Sequence, residues 1–82
     1  MEERRTMVRR RVYKAGKIAL HNAASIAGVV KNISDTGAMI EIPSLVSIPN
    51  EFTLVIESEQ LTRPCQVVWR EPTRMGVRFL AA

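Results

Sequence analysis

From Val12 onward apolar and polar residues alternate with a period of two, and nowhere do apolar residues recur at helical spacing over three turns. Successive side chains of an extended chain leave on opposite faces, so such stretches read as half-buried strands. Lys17 to Asn22 alternates with Ile18 and Leu20 inward. Ser25 to Lys31 begins a second run, reaching Ile33, in which Gly28 marks a bulge or a close backbone approach. Ala38, Ile40 and Ile42 alternate with Met39 and Glu41, and Phe52, Leu54 and Ile56 with Thr53, Val55 and Glu57. Further on, Cys65, Val67 and Trp69 share a face opposite Gln66, Val68 and Arg70. Pro64 at the start of that run points to an edge or strand-entry position, because proline cannot donate to a ladder. Met75 to Leu80 closes the series with Val77 and Phe79 inward.

The links between these runs are short and polar: 22–25, 32–37, 43–50, 58–60 and 71–73. Short links favour antiparallel neighbours. In a small domain, closing such a sheet on itself removes the exposed edges. The pattern therefore predicts an all-β fold, a six-stranded antiparallel β-barrel over residues 12–82, preceded by a flexible basic N-terminal arm over residues 1–11.

Composition narrows the class. With 82 residues, 46% hydrophobic and 24% charged, the chain has room for one domain with one small core. No apolar run is long enough to cross a bilayer, and the charged start lacks the apolar segment of a signal peptide. The single cysteine, Cys65, cannot form an internal disulfide, and together these features favour the cytoplasm without membrane insertion. Catalysis finds little support. His21 reads as a surface or packing residue and Cys65 as a small core residue. No His, Cys, Asp or Glu cluster has metal-ligand spacing, and no glycine-rich phosphate loop precedes a helix. The chain reads as a binder, not an enzyme.

Charge placement says more than its total. Residues 1–14 carry six basic and two acidic side chains and hold the whole net charge of +4. Five arginines within eight positions (Arg4, Arg5, Arg9, Arg10, Arg11) repel one another, so the arm is expected to be mobile until an anion neutralises it. Guanidinium offers a planar donor fork matched to phosphate oxygens or to the O6/N7 edge of guanine. Arg5 and Arg9, four apart, fall on one side of a helical or an extended segment, with Arg4 and Arg10 flanking them. A solvated tail that serves only solubility is the plainer alternative.

The stretch Asn32-Ile33-Ser34-Asp35-Thr36-Gly37 is rich in turn formers. Polar side chains here cap backbone amides, and glycine accepts positive φ, so a tight hairpin accounts for it. A second reading stands beside that one. Asn32 and Ser34, two apart, leave one face while Ile33 points the other way, which makes a polar ledge suited to a flat ligand edge.

Arg5-Thr6-Met7-Val8-Arg9 followed by Asn32-Ile33-Ser34-Asp35-Thr36-Gly37 resembles the paired Arg-x-x-x-Arg and [Asp/Asn]-x-Ser-x-x-Gly motifs of the PilZ domain family. Gly37-Ala38-Met39-Ile40, Val67-Val68-Trp69 and Gly76-Val77-Arg78-Phe79 extend the likeness over nearly the whole chain. The resemblance implies a bacterial receptor for the second messenger cyclic di-GMP, with the ligand across the outer barrel surface beside the second motif. By that likeness Arg5 and Arg9 would hold phosphates and guanine faces or edges, with Arg4 as an extra arginine before the pair. Asn32 and Ser34 would hydrogen-bond the guanine edge, and Gly37 would permit the turn that presents them. No cofactor besides this ligand is implied, and the expected partner is an unidentified downstream protein. Two other readings remain. One is a small barrel that binds RNA or single-stranded DNA through the basic arm; the other is a PilZ-like adaptor that binds no nucleotide. The first needs exposed aromatic rings for stacking, whereas Phe52 and Phe79 fall on inward positions.

Overall fold

The computed structural model describes residues 10–20, 24–43 and 48–80. Six strands are present: β1 (Arg10–Ala19), β2 (Ser25–Ile33), β3 (Gly37–Glu41), β4 (Glu51–Ile56), β5 (Leu61–Arg70) and β6 (Arg74–Phe79). They close into a barrel in the order β1-β2-β3-β6-β5-β4, and every neighbouring pair is antiparallel. This is the architecture that the alternation predicts. β1 starts at Arg10, so the last two arginines of the stretch assigned to the arm are strand residues. A 3-10 turn, Glu57–Glu59, leads from β4 to β5, and Gln60 at its end takes the left-handed conformation with φ 52°.

The inward positions fill the barrel with Ile18, Val30, Ile40, Leu54, Ile56 and Met75, all at 0% exposure. Cys65 is equally buried, as the sequence reading had it. Burial in an apolar surrounding pushes its thiol up to about 11, because a thiolate there would lose its hydration. Gly28 marks a close approach rather than a bulge: it pairs with Gly16, and a Cβ on it would stand 2.4 Å from Ile42 Cγ2. Pro64 lies in the part of β5 that pairs with β4 alone, since pairing with β6 begins at Cys65. Its missing N–H therefore interrupts no ladder on the β6 side, where its carbonyl accepts from Leu80 N at 2.8 Å.

Three bulges break the alternation. In β1, Val12 and Tyr13 together oppose Lys31 of β2, and Lys31 is in turn the extra residue of β2 against β3. In β5, Val68 is the extra residue against β6. Each extra residue moves everything after it to the opposite face. The consequence in β5 corrects the sequence reading. Cys65 and Val67 face the core, but Trp69 does not share their face: it lies outside, 39% exposed, against Gly76. A Cβ on Gly76 would come within 2.0 Å of Trp69 Nε1, so only glycine lets the indole lie flat on β6. Arg70 closes the far end of the barrel, donating to Ile48 O at 2.8 Å and to Asn50 Oδ1 at 2.9 Å.

Candidate functional site

The bulge at Lys31 decides which way the second motif faces. Ile26 and Val30 point inward, so strict alternation would put Asn32 in the core as well. With Lys31 inserted, Ile33 packs against the core instead and Asn32 turns to the outer wall, half-buried. There Asn32 pairs with Arg11 of β1 on one side and Met39 of β3 on the other. Met39 pairs with Gly76 and Gly76 with Trp69, so Arg11, Asn32, Met39, Gly76 and Trp69 form one continuous row across five strands. The extra residue itself stays outside: Lys31 Nζ lies 5.0 Å from the centroid of the Tyr13 ring and 3.3 Å from Glu41 Oε1.

Beyond Ile33 the chain turns back within two residues, Asp35 and Thr36, and Ser34 N donates to Gly37 O at 2.8 Å. The Ser34 hydroxyl serves this turn, accepting from Thr36 N at 3.3 Å and approaching Gly37 O at 3.4 Å. Both contacts are long, so the hydroxyl can exchange them for a better-placed partner. Asp35 and Thr36 are exposed while Gly37 is buried. Gly37 does not act through positive φ, which no glycine of the chain adopts. Its constraint is contact: a Cβ on it would lie 2.2 Å from Val77 O, in the backbone of β6.

The inner side of the same turn opens on the mouth of the barrel, a concavity of about 640 Å³. Ile33, Leu61 and Phe79 form part of its apolar floor, and Ser34 and Asp35 stand on its rim. Three cations reach it from two strands, Arg10 and Lys14 of β1 and Arg63 of β5. Lys14 Nζ pairs with Glu59 Oε2 at 2.7 Å. That hydrogen bond and the Lys14 charge, with Arg10 adding, hold the Glu59 carboxyl below its ordinary range. The Arg63 guanidinium lies over the Phe79 ring, 5.3 Å from its centroid.

A family model described as the PilZ domain matches residues 3–82. The chain belongs to the PilZ domain family. No curated protein matches it. As a PilZ domain it is a receptor or adaptor module rather than an enzyme. No group of three or more His, Cys, Asp or Glu among the described residues could hold a metal ion. Among those residues, too, no helix is long and apolar enough to cross a membrane.

Of the site residues expected from sequence, the PilZ barrel brings Asn32, Ser34 and Gly37 to one corner, where β2 turns into β3. Arg4, Arg5, Arg9 and His21 lie outside the described residues. The motifs left several neighbours unmentioned. Arg11 and Trp69 flank the Asn32 row, and Lys14, Arg63 and Phe79 line the mouth. Trp69 carried a signal, an aromatic between Val68 and Arg70 in a strand, but its face depended on a bulge. Arg63 carried none, and nothing in the inward position of Phe79 announced their meeting, because 16 residues separate two side chains that come together only when β5 pairs with β6.

Proposed function

We propose that this PilZ domain is a receptor for cyclic di-GMP, in which the arginine arm closes over a ledge built by Asn32 and Ser34. The observation that carries this reading is the pairing of Arg10 with Ile33 and Arg11 with Asn32. The Arg-x-x-x-Arg segment thus ends one residue before the strand that runs alongside the second motif. In the proposed complex Arg5 and Arg9 hold the two phosphates, and Arg4 adds a third guanidinium. The Asn32 amide and the Ser34 hydroxyl meet a guanine edge. Charge-assisted hydrogen bonds of this kind contribute about 1.5–3 kcal/mol each, and the two phosphates offset the mutual repulsion of the arginines as they draw the arm onto the barrel. The reshaped surface then meets a downstream protein, an order–disorder switch in kind. A module of this kind works in the cytoplasm, where the dinucleotide is free to reach it.

Titration with cyclic di-GMP followed by amide shifts tests the reading, with GTP and cyclic di-AMP as controls. Changes should concentrate at residues 4–11 and 32–37. Calorimetry at fixed salt should show Arg9→Ala binding at least tenfold more weakly, and an unchanged affinity rejects the role given to the arm. A second reading, a binder of RNA or single-stranded DNA, draws support from Tyr13 and Trp69, 77% and 39% exposed. It predicts steeply salt-dependent binding of mixed-sequence oligonucleotides with no response to cyclic di-GMP.

A further inference from the structure

The barrel mouth has features that neither motif accounts for. Its floor of Ile33, Leu61 and Phe79 is only partly buried and packs on the core from one side, leaving apolar surface facing the concavity. Its volume of about 640 Å³ falls within the range of small-molecule sites. Ser34 belongs both to the ledge and to the rim, and Arg10, next in sequence after the arm's Arg9, lines the wall. On the receptor reading, a ligand held at the Ser34 ledge would lie beside this opening. Arg63 is exposed yet oriented, because its guanidinium rests on the Phe79 ring. A guanidinium placed over a ring keeps N–H donors free for other partners, and their fork matches the O6/N7 edge of guanine. The apolar floor suits the face of a flat heterocycle, whose stacking on side chains is sequence-tolerant and strong.

We propose that the mouth is the base pocket of the same site: one guanine of the ligand enters it, with Phe79 and its neighbours beneath and the Arg63 fork at its O6/N7 edge. The inference rests on the receptor reading given above and adds to it the residues that select the base. Adenine presents an N6 amine where guanine has O6, so the Arg63 donors favour the guanine ligand.

Calorimetry at fixed salt with cyclic di-GMP and cyclic di-AMP separates the possibilities. The set comprises the wild-type chain, Arg63→Ala, Arg63→Lys, Phe79→Leu and Arg74→Ala. Arg74 opens β6 at the end opposite Phe79 and pairs with Glu71, so its loss removes the same charge away from the mouth. Arg63→Ala and Arg63→Lys should each weaken cyclic di-GMP binding about tenfold or more and narrow the preference over cyclic di-AMP. Phe79→Leu should weaken binding while its thermal melt stays cooperative, and Arg74→Ala should stay within twofold of wild type. If wild type binds and Arg63→Ala matches it within twofold, the base pocket is refuted while the receptor reading stands. Equal losses in Arg63→Ala and Arg74→Ala, or full rescue by Arg63→Lys, reduce Arg63 to a diffuse charge and also overturn the inference. If wild type itself shows no binding, the receptor reading fails and the pocket with it.

Discussion

Gly37→Ala is the substitution in which geometry and motif lore part company. A turn glycine chosen for positive φ is replaced with least damage by asparagine, which tolerates that region. Gly37 is not in that region, and the obstacle to a side chain is the carbonyl oxygen of Val77, 2.2 Å from the Cβ position. Arg78 Cα, at 3.2 Å, leaves no room to slide along β6. Because both obstacles are backbone, relief requires β3 and β6 to separate where Gly37 pairs with Arg78. Overpacking of this kind costs about 1–3 kcal/mol, and here the upper end applies. Replacing glycine also restricts the unfolded chain, which returns about 0.4–1 kcal/mol. The net loss is about 2 kcal/mol, or roughly 8–16 °C in melting temperature for a domain of this size. Urea denaturation followed by the fluorescence of Trp69, the only tryptophan, measures it as a lower midpoint at constant slope. Gly37→Asn should be at least as damaging as Gly37→Ala. The reasoning is refuted if asparagine is tolerated better than alanine, or if alanine costs less than about 0.5 kcal/mol, within the scatter of ordinary surface substitutions.

Gly76→Ala should lift the indole of Trp69 off β6, since the added Cβ would otherwise fall 2.0 Å from Nε1. A red-shifted emission maximum and easier iodide quenching in the folded state are the expected readout; an unchanged spectrum contradicts the placement. Cys65 should resist thiol reagents at pH 8 until the barrel unfolds, so that its modification rate tracks global unfolding across the Gly37 and Gly76 variants. Its folded pKa of about 11 lies above the ordinary value of 9.0, so the unfolded chain releases this proton first. The associated stability is complete below pH 9, and it declines as pH rises from 9 through 11. Cys65→Ala should show a shallower decline over that window than wild type, and parallel curves count against burial of the thiol.

Alternation of apolar residues was enough to foretell an all-β barrel, because a period of two leaves a small chain few ways to bury one face of every strand. The burial of Cys65 and Val77 followed from the same rule, and the turn formers of 32–37 foretold the polar turn at Asp35–Thr36. What alternation could not reveal was where it fails. A bulge is a matter of pairing between two strands, and nothing in Val30-Lys31-Asn32 or Val67-Val68-Trp69 taken alone marks the extra residue. The first bulge presents Asn32 on the wall, and the second carries Trp69 out of the core to end the row that runs through Asn32. The reason Gly37 and Gly76 are glycines is tertiary as well, since the atoms they make room for belong to neighbouring strands. The mouth, finally, exists only once the barrel closes: Arg10, Ser34, Arg63 and Phe79 come from four separate parts of the chain, and strand register alone brings them to one rim.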